Sequence, residues 1–153
     1  MQGSLMPAKF DQPGISFQYP ENWRLEEETG EAHKSVTVYS PGGAFWSVTL
    51  HPRECKPTDL AEAAVVALKE EYAEVESEQA NETIAGHDTI GYDVSFYYLD
   101  LISTASVRSL RGRFGTYAVY CQAEDREFDQ FRGVFLALTV SLLNGIESPL
   151  NWE

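Results

Sequence analysis

Residues 89–122 read TIGYDVSFYYLDLISTASVRSLRGRFGTYAVYCQ, and their period decides the fold. Tyr92, Val94, Phe96 and Tyr98 alternate with Asp93, Ser95 and Tyr97. A period of two belongs to an extended strand whose two faces meet different surroundings. From Leu101 to Arg113 the alternation continues with small residues. Ser103, Ala105, Val107 and Ser109 oppose Ile102, Thr104, Ser106 and Leu110. After a turn at Phe114-Gly115, Tyr117, Val119 and Cys121 share a face up to Gln122. The links are too short for a crossover helix, so the three strands form an antiparallel meander.

Upstream, Ala8 to Tyr19 reads as a hairpin around Gln12-Pro13-Gly14, where proline presets φ and glycine accepts φ > 0. Pro20 to Trp23 turns one large aromatic back onto the core. Arg24–Thr29 and Ala32–Tyr39 flank Gly30 as a second hairpin. Ala44 to Leu50 follows the Ser40-Pro41-Gly42-Gly43 turn, with Trp46, Val48 and Leu50 on one face. Thr58 is expected to cap a first helix whose stripe is Leu60, Ala64, Leu68 and Tyr72, ending near Ala73. Val75 to Ile84 reads as one polar extended strand, and Gly86-His87-Asp88 as a turn. A last helix, capped by Asp125, repeats Phe128, Phe131, Phe135, Leu138 and Leu142 at spacings of three and four, with Gly145 closing it. Phe131, Phe135 and Leu138 are expected to pack on Trp46, Val94, Phe96 and Val119. The whole is an α+β fold: an antiparallel sheet of about six or seven strands flanked by two main helices. One domain is expected over residues 8–144, with a flexible tail at 1–7 and a second tail at 145–153, where Trp152 falls.

Charge narrows the function. Eleven Lys and Arg against 24 Asp and Glu give a net charge of −13 over 153 residues. The deficit is even, with six basic against thirteen acidic residues in 1–76 and five against eleven in 77–153. A nucleic-acid binder needs a basic face, so that class is set aside, and anionic lipid is disfavoured for the same reason. The longest apolar stretch, Val134 to Leu143, is half of what a membrane span of about 20 residues needs. Residues 1–15 hold no apolar run of signal-peptide length, so a cytoplasmic location is expected, with a leader removed upstream left open. Cys55 lies in a loop between prolines and Cys121 in an apolar alternation, where it reads as a buried thiol. Asn81-Glu82-Thr83 matches the glycosylation sequon, which matters only on a eukaryotic secretory route.

The run Phe10-Asp11-x-x-Gly14-Ile15-Ser16-Phe17-x-Tyr19-Pro20-x-x-Trp23 resembles the start of the PsbP-like superfamily. That family includes the extrinsic photosystem II subunit, the Ran-binding Mog proteins and bacterial DcrB-like proteins. The long strand pair and the final helix, Phe128-x-x-Phe131-x-x-x-Phe135-x-x-Leu138-x-x-Ser141-Leu142, are similar in order. The resemblance covers residues 8–143 and implies an antiparallel sheet flanked by helices. It also implies a binding or assembly role rather than an enzymatic one. These motifs are turn and core positions, so no metal or partner site comes with them.

No catalytic residue, metal ligand or cofactor is assigned. His33, His51 and His87 are too far apart in sequence for a helical zinc pair. Glu124, Asp125, Glu127 and Asp129 lack the glycine and the terminal glutamate of a calcium loop. There is no Gly-x-Ser-x-Gly elbow, and Arg111-Gly112-Arg113-Phe114-Gly115 lacks phosphate-loop spacing. Arg108, Arg111 and Arg113 are the basic residues of one strand, Arg111 and Arg113 on one face and Arg108 on the other. They are expected either to make cross-strand salt bridges to acids such as Asp93, Glu76 or Glu78 or to form a small anion or carboxylate patch. Two helices cover only part of such a sheet, and Tyr97 and Tyr120 are expected on the same, less covered face. A protein-binding surface around Tyr97, Tyr120, Arg111 and Arg113 is therefore the expected site, with a second copy of the chain as an alternative occupant. The competing readings are a secretion-associated chaperone receiving an apolar segment, and a small-ligand carrier or enzyme without a recognisable motif.

Overall fold

The computed structural model describes residues 7–146. Both expected tails lie wholly or mostly outside that range, as does Trp152. The chain runs β1 (Ala8–Gln12), β2 (Ile15–Tyr19), β3 (Arg24–Thr29), β4 (Lys34–Tyr39), β5 (Phe45–His51), α1 (Pro57–Glu71), β6 (Ala73–Gln79), β7 (Glu82–Ile84), β8 (His87–Tyr98), β9 (Leu101–Arg111), β10 (Thr116–Glu124) and α2 (Asp125–Asn144). β1 and β2 form a separate antiparallel hairpin. The other strands make one eight-stranded sheet in the order β3-β4-β5-β10-β9-β8-β6, with β7 paired to the remaining length of β8. The sheet is thus slightly larger than expected, because residues 73–84 make two strands rather than one.

Strand alternation gives the sheet two different faces. On one, Val36, Val38, Trp46, Val48, Val119 and Cys121 are buried with Phe128, Phe135, Leu138 and Leu142 of α2. The β1–β2 hairpin closes this core at its far side, where Phe17 meets Trp46 at 4.9 Å between ring centroids. The Tyr117 hydroxyl donates to the carbonyl of Gly14 in the hairpin turn. On the opposite face Val94, Phe96 and Ala105 pack with Val65 and Leu68 of α1. Val94 and Phe96 therefore do not meet α2 as expected. They sit one residue out of phase with Asp93, which shares α2's face.

Both caps also differ from expectation. Pro57 occupies the first turn of α1, where its missing N–H costs nothing, and the N-cap is Lys56 rather than Thr58. The buried positions of α1 are Ala61, Val65 and Leu68, a stripe displaced by one residue from Leu60 and Ala64. At α2 the N-cap is Glu124, whose carboxylate accepts from the Arg126 amide at 3.0 Å. Asp125 instead accepts from the Thr104 hydroxyl at 2.8 Å, tying the helix start to β9. Gly115 has φ +155°, and a Cβ there would lie 2.2 Å from the His51 carbonyl, so the β9–β10 turn needs glycine.

Candidate functional site

On this side α2 lies over β10 and part of β9 and reaches β7, the β1–β2 hairpin packs on Trp46 of β5, and β6 and much of β8 stay open. At the boundary lies Arg108, its side chain only 12% exposed. Its Nε donates to Glu82 at 2.6 Å and its Nη2 to Asp93 at 2.8 Å. Its Nη1 donates to the carbonyls of Tyr92 and Val107. Burial works against the charge, but the bonds to Glu82 and Asp93 outweigh it and the guanidinium holds its proton more tightly than usual. Gly91 stands opposite Arg108 on β8, where a side chain would collide with the Val107 carbonyl. The expected pairing with Asp93 is present; the second partner is Glu82 of β7, not Glu76 or Glu78. Three of the four contacts tie β7 and β8 to β9 and the fourth stays within β9, which leaves little of Arg108 for an anion.

A cavity of about 500 Å³ separates Arg108 from α2, lined in part by Thr104, Ser106, Cys121, Arg132 and Phe135. The Cys121 thiol is its one nucleophile of interest, and burial pushes that thiol up to about 12. No histidine lines the cavity to take its proton. The arrangement is a structural ion pair beside a polar-apolar pocket, not a nucleophile–base pair.

Beyond Arg108 the open face continues toward the β8–β9 turn. Glu76, Glu78, Asp93, Ser95 and Thr104 line a shallow depression of about 350 Å³. At the turn, Tyr97, Tyr98, Leu99, Leu101 and Ile102 are all about half exposed or more, Leu99 reaching 76%. Leu99 and Asp100 carry φ of 53° and 64°, the left-handed region where glycine or asparagine is favoured. Glu74, on neighbouring β6, has φ 54° beside a register shift between Ala73 and Glu76. Among the described residues, three of the four non-glycine residues with positive φ therefore gather at one corner, around the tip.

The structure does not bring the four expected site residues together. Tyr120 pairs with Val107, which pairs with Tyr92. Tyr97 lies five residues from Tyr92 and so occupies the opposite face, which corrects the expectation that the two tyrosines share one. Tyr120 faces α1, its hydroxyl donating to Gln122 Oε1 at 2.6 Å, and burial raises its pKa. Arg111 ends β9 far from Tyr97: nine residues of strand from Ile102, about 30 Å. Its Nη2 donates to the Cys55 carbonyl at 3.1 Å. Arg113 lies exposed in the β9–β10 turn. The tip itself is legible in the run 97–102, read above only as the end of one strand and the start of the next.

His33 and His51, distant in sequence, stack at 5.5 Å because β4 and β5 pair in register. Burial, and then the charge on His33, lower the His51 pKa. Among the described residues no three His, Cys, Asp or Glu side chains gather as metal ligands would, and no helix is long and apolar enough to cross a membrane.

No family model matches the chain, and no curated protein matches it in sequence. Solved structures match its fold. The solution structure of cyanobacterial PsbP from Synechocystis sp. PCC 6803 superposes with a TM-score of 0.61 at 14% identity, over 92% of this chain and 93% of that one. A Bacteroides thetaiotaomicron protein gives 0.54 at 16% identity, over 100% of this chain and 51% of the other. A Pseudomonas aeruginosa protein of unknown function gives 0.52 at 8% identity, over 89% and 95%. At these identities the likeness is one of fold: the chain has a PsbP-like fold.

Proposed function

We propose that the protein is a non-enzymatic binding module that docks a protein partner on the open part of its sheet beside α2, centred on the β8–β9 tip. The observation that carries this reading is the tip, where Tyr97, Leu99, Leu101 and Ile102 are about half exposed or more on a turn that glycine would make with less strain. Strain kept at an exposed position is a mark of function rather than of stability. Contiguous apolar surface of this kind is characteristic of interfaces. The adjoining face carries Glu76, Glu78 and Asp93. The partner surface that fits is an apolar depression ringed by Lys and Arg, and the net charge of −13 would steer it inward. The same acids disfavour an anionic membrane. The PsbP-like fold supports a binding role only by analogy. Of the residues proposed from sequence, Tyr97 belongs to this surface, while Arg111 and Arg113 serve as its controls.

The test is a tagged-bait comparison. Wild type and Arg111→Ala should retain the same partner, and Leu99→Ser with Ile102→Ser should lose it while keeping the wild-type melting temperature. A partner kept by the tip variant, or lost equally by Arg111→Ala, would place the binding surface elsewhere. Sedimentation of the purified chain checks whether the partner is a second copy.

A further inference from the structure

On the other face of the sheet a slot of about 370 Å³ opens between α1 and the strands β5 and β10, and its Tyr72 ring lies 5.6 Å from Tyr98 of the tip. Phe45 of β5 stands opposite Gln122 of β10, and the Phe45 and Tyr120 rings lie 5.8 Å apart. Tyr72, the C-cap of α1, contributes a third ring; it stacks on Phe96 at 4.4 Å, which holds it in place. Ala64 and Ala67 form the helix wall, and their short side chains are what leaves the slot open. Among the described residues no side chain fills the volume between these rings.

The electrostatics point to a cation. α1 ends at Glu71, so its carbonyl end carries the negative pole of the helix, and the Glu71 carboxylate adds a full charge among the lining residues. No lysine or arginine lines the slot; the basic residue of the last turn, Lys69, points out of it. The Tyr120 hydroxyl spends its proton on Gln122, leaving its lone pairs as acceptors. Aromatic walls with a nearby carboxylate recognise alkylammonium groups through the ring quadrupole and the charge together. The volume lies at the small end of ligand sites, the size of a head group rather than a whole metabolite.

We propose that this slot binds an organic ammonium group, its cationic head seated among Phe45, Tyr72 and Tyr120 beside the Glu71 carboxylate. Two sources present that chemistry: a free quaternary ammonium compound and the lysine side chain of a bound peptide. The experiment is an amide-shift NMR titration of the whole chain with tetramethylammonium chloride, n-butylammonium chloride, sodium chloride and tert-butanol, the last a neutral molecule of similar shape. The expected result is saturable shifts confined to residues around 45, 64–72 and 120–122 with one or both ammonium salts. Tighter binding of tetramethylammonium assigns the site to quaternary ammonium compounds, and tighter binding of n-butylammonium to lysine side chains. Phe45→Ala should weaken binding by at least about fivefold. Ala67→Leu, which keeps every ring and fills the volume on an exposed helix position, should abolish it in a normally folded protein. The proposal is overturned if tert-butanol binds as well as the salts, if sodium chloride reproduces the shifts, if no salt saturates, or if Ala67→Leu binds like wild type.

Discussion

Cys121 and Cys55 illustrate how position sets chemistry for one residue type. Cys121 lies buried under α2 beside Ser106, and burial raises its pKa from 9.0 to about 12. Cys55 is half-buried in the loop before α1. A thiol reagent at pH 8 should therefore modify Cys55 promptly and Cys121 only on unfolding; two fast thiols in the native protein would show that the α2 side of β10 is open. The same shift has a sign for stability. The folded chain keeps the Cys121 proton at pH values where the unfolded chain has lost it, so this contribution is whole below about pH 9 and is lost as pH rises toward 12. Tyr117, also pushed by burial to about 12, adds to that alkaline limb in the same direction. Urea midpoints should fall between pH 9 and 12, and Cys121→Ala should flatten the early part of the fall.

α2 is the element on which the larger core rests. Phe135 touches Trp23, Phe128 and Phe131 as ring neighbours. One turn along, the Thr139 hydroxyl accepts from Trp46 Nε1 at 3.0 Å and donates to the Phe135 carbonyl at 2.9 Å. The helix is thus keyed to the sheet by packing and by one buried hydrogen bond at the same level. Phe135→Ala removes a whole ring from this setting and should cost about 3–5 kcal/mol by urea denaturation. A loss under about 1 kcal/mol would mean that another face of α2 is seated. The edge strands are built differently. β3 carries Glu26, Glu27 and Glu28, and β6 carries Glu74, Glu76 and Glu78, which guard both ends of the sheet against adding another acidic strand.

Two cores share one sheet, and the strands between them see both. β10 and β9 lie at the centre of the order, with α1 on one side and α2 on the other. Amides that open only on global unfolding belong to strands covered on both faces. Hydrogen exchange should accordingly be slowest in β9 and β10 and fastest in β3 and β6. Equal protection across the sheet, or slowest exchange in an edge strand, would contradict this division of the core. The layout also places two candidate surfaces on opposite faces, the acidic open face on the α2 side and the aromatic slot on the α1 side, and they approach each other at the tip, where Tyr98 packs edge-on against Tyr72.

Period-two runs and turn chemistry are local, so the order of strands and helices was readable from residues: hairpins at 8–19 and 24–39, the meander at 89–122, and the phenylalanine stripe of the last helix. The fold class follows from that order, because short links permit only antiparallel neighbours. What local pattern leaves open is which strand lies beside which across long separations. β5 pairing with β10 is such a contact, and it decides that Tyr120 joins Phe45 beneath α1 while Tyr97 faces the other way. The stacking of His33 on His51 and the pairing of Arg108 with Glu82 have the same origin. A helix stripe spans over 100°, so Leu60 and Ala61 were equally plausible contacts until the sheet chose Ala61. A site is a set of side chains brought together by register, and register is set by the packing of whole faces rather than by any short stretch of chain.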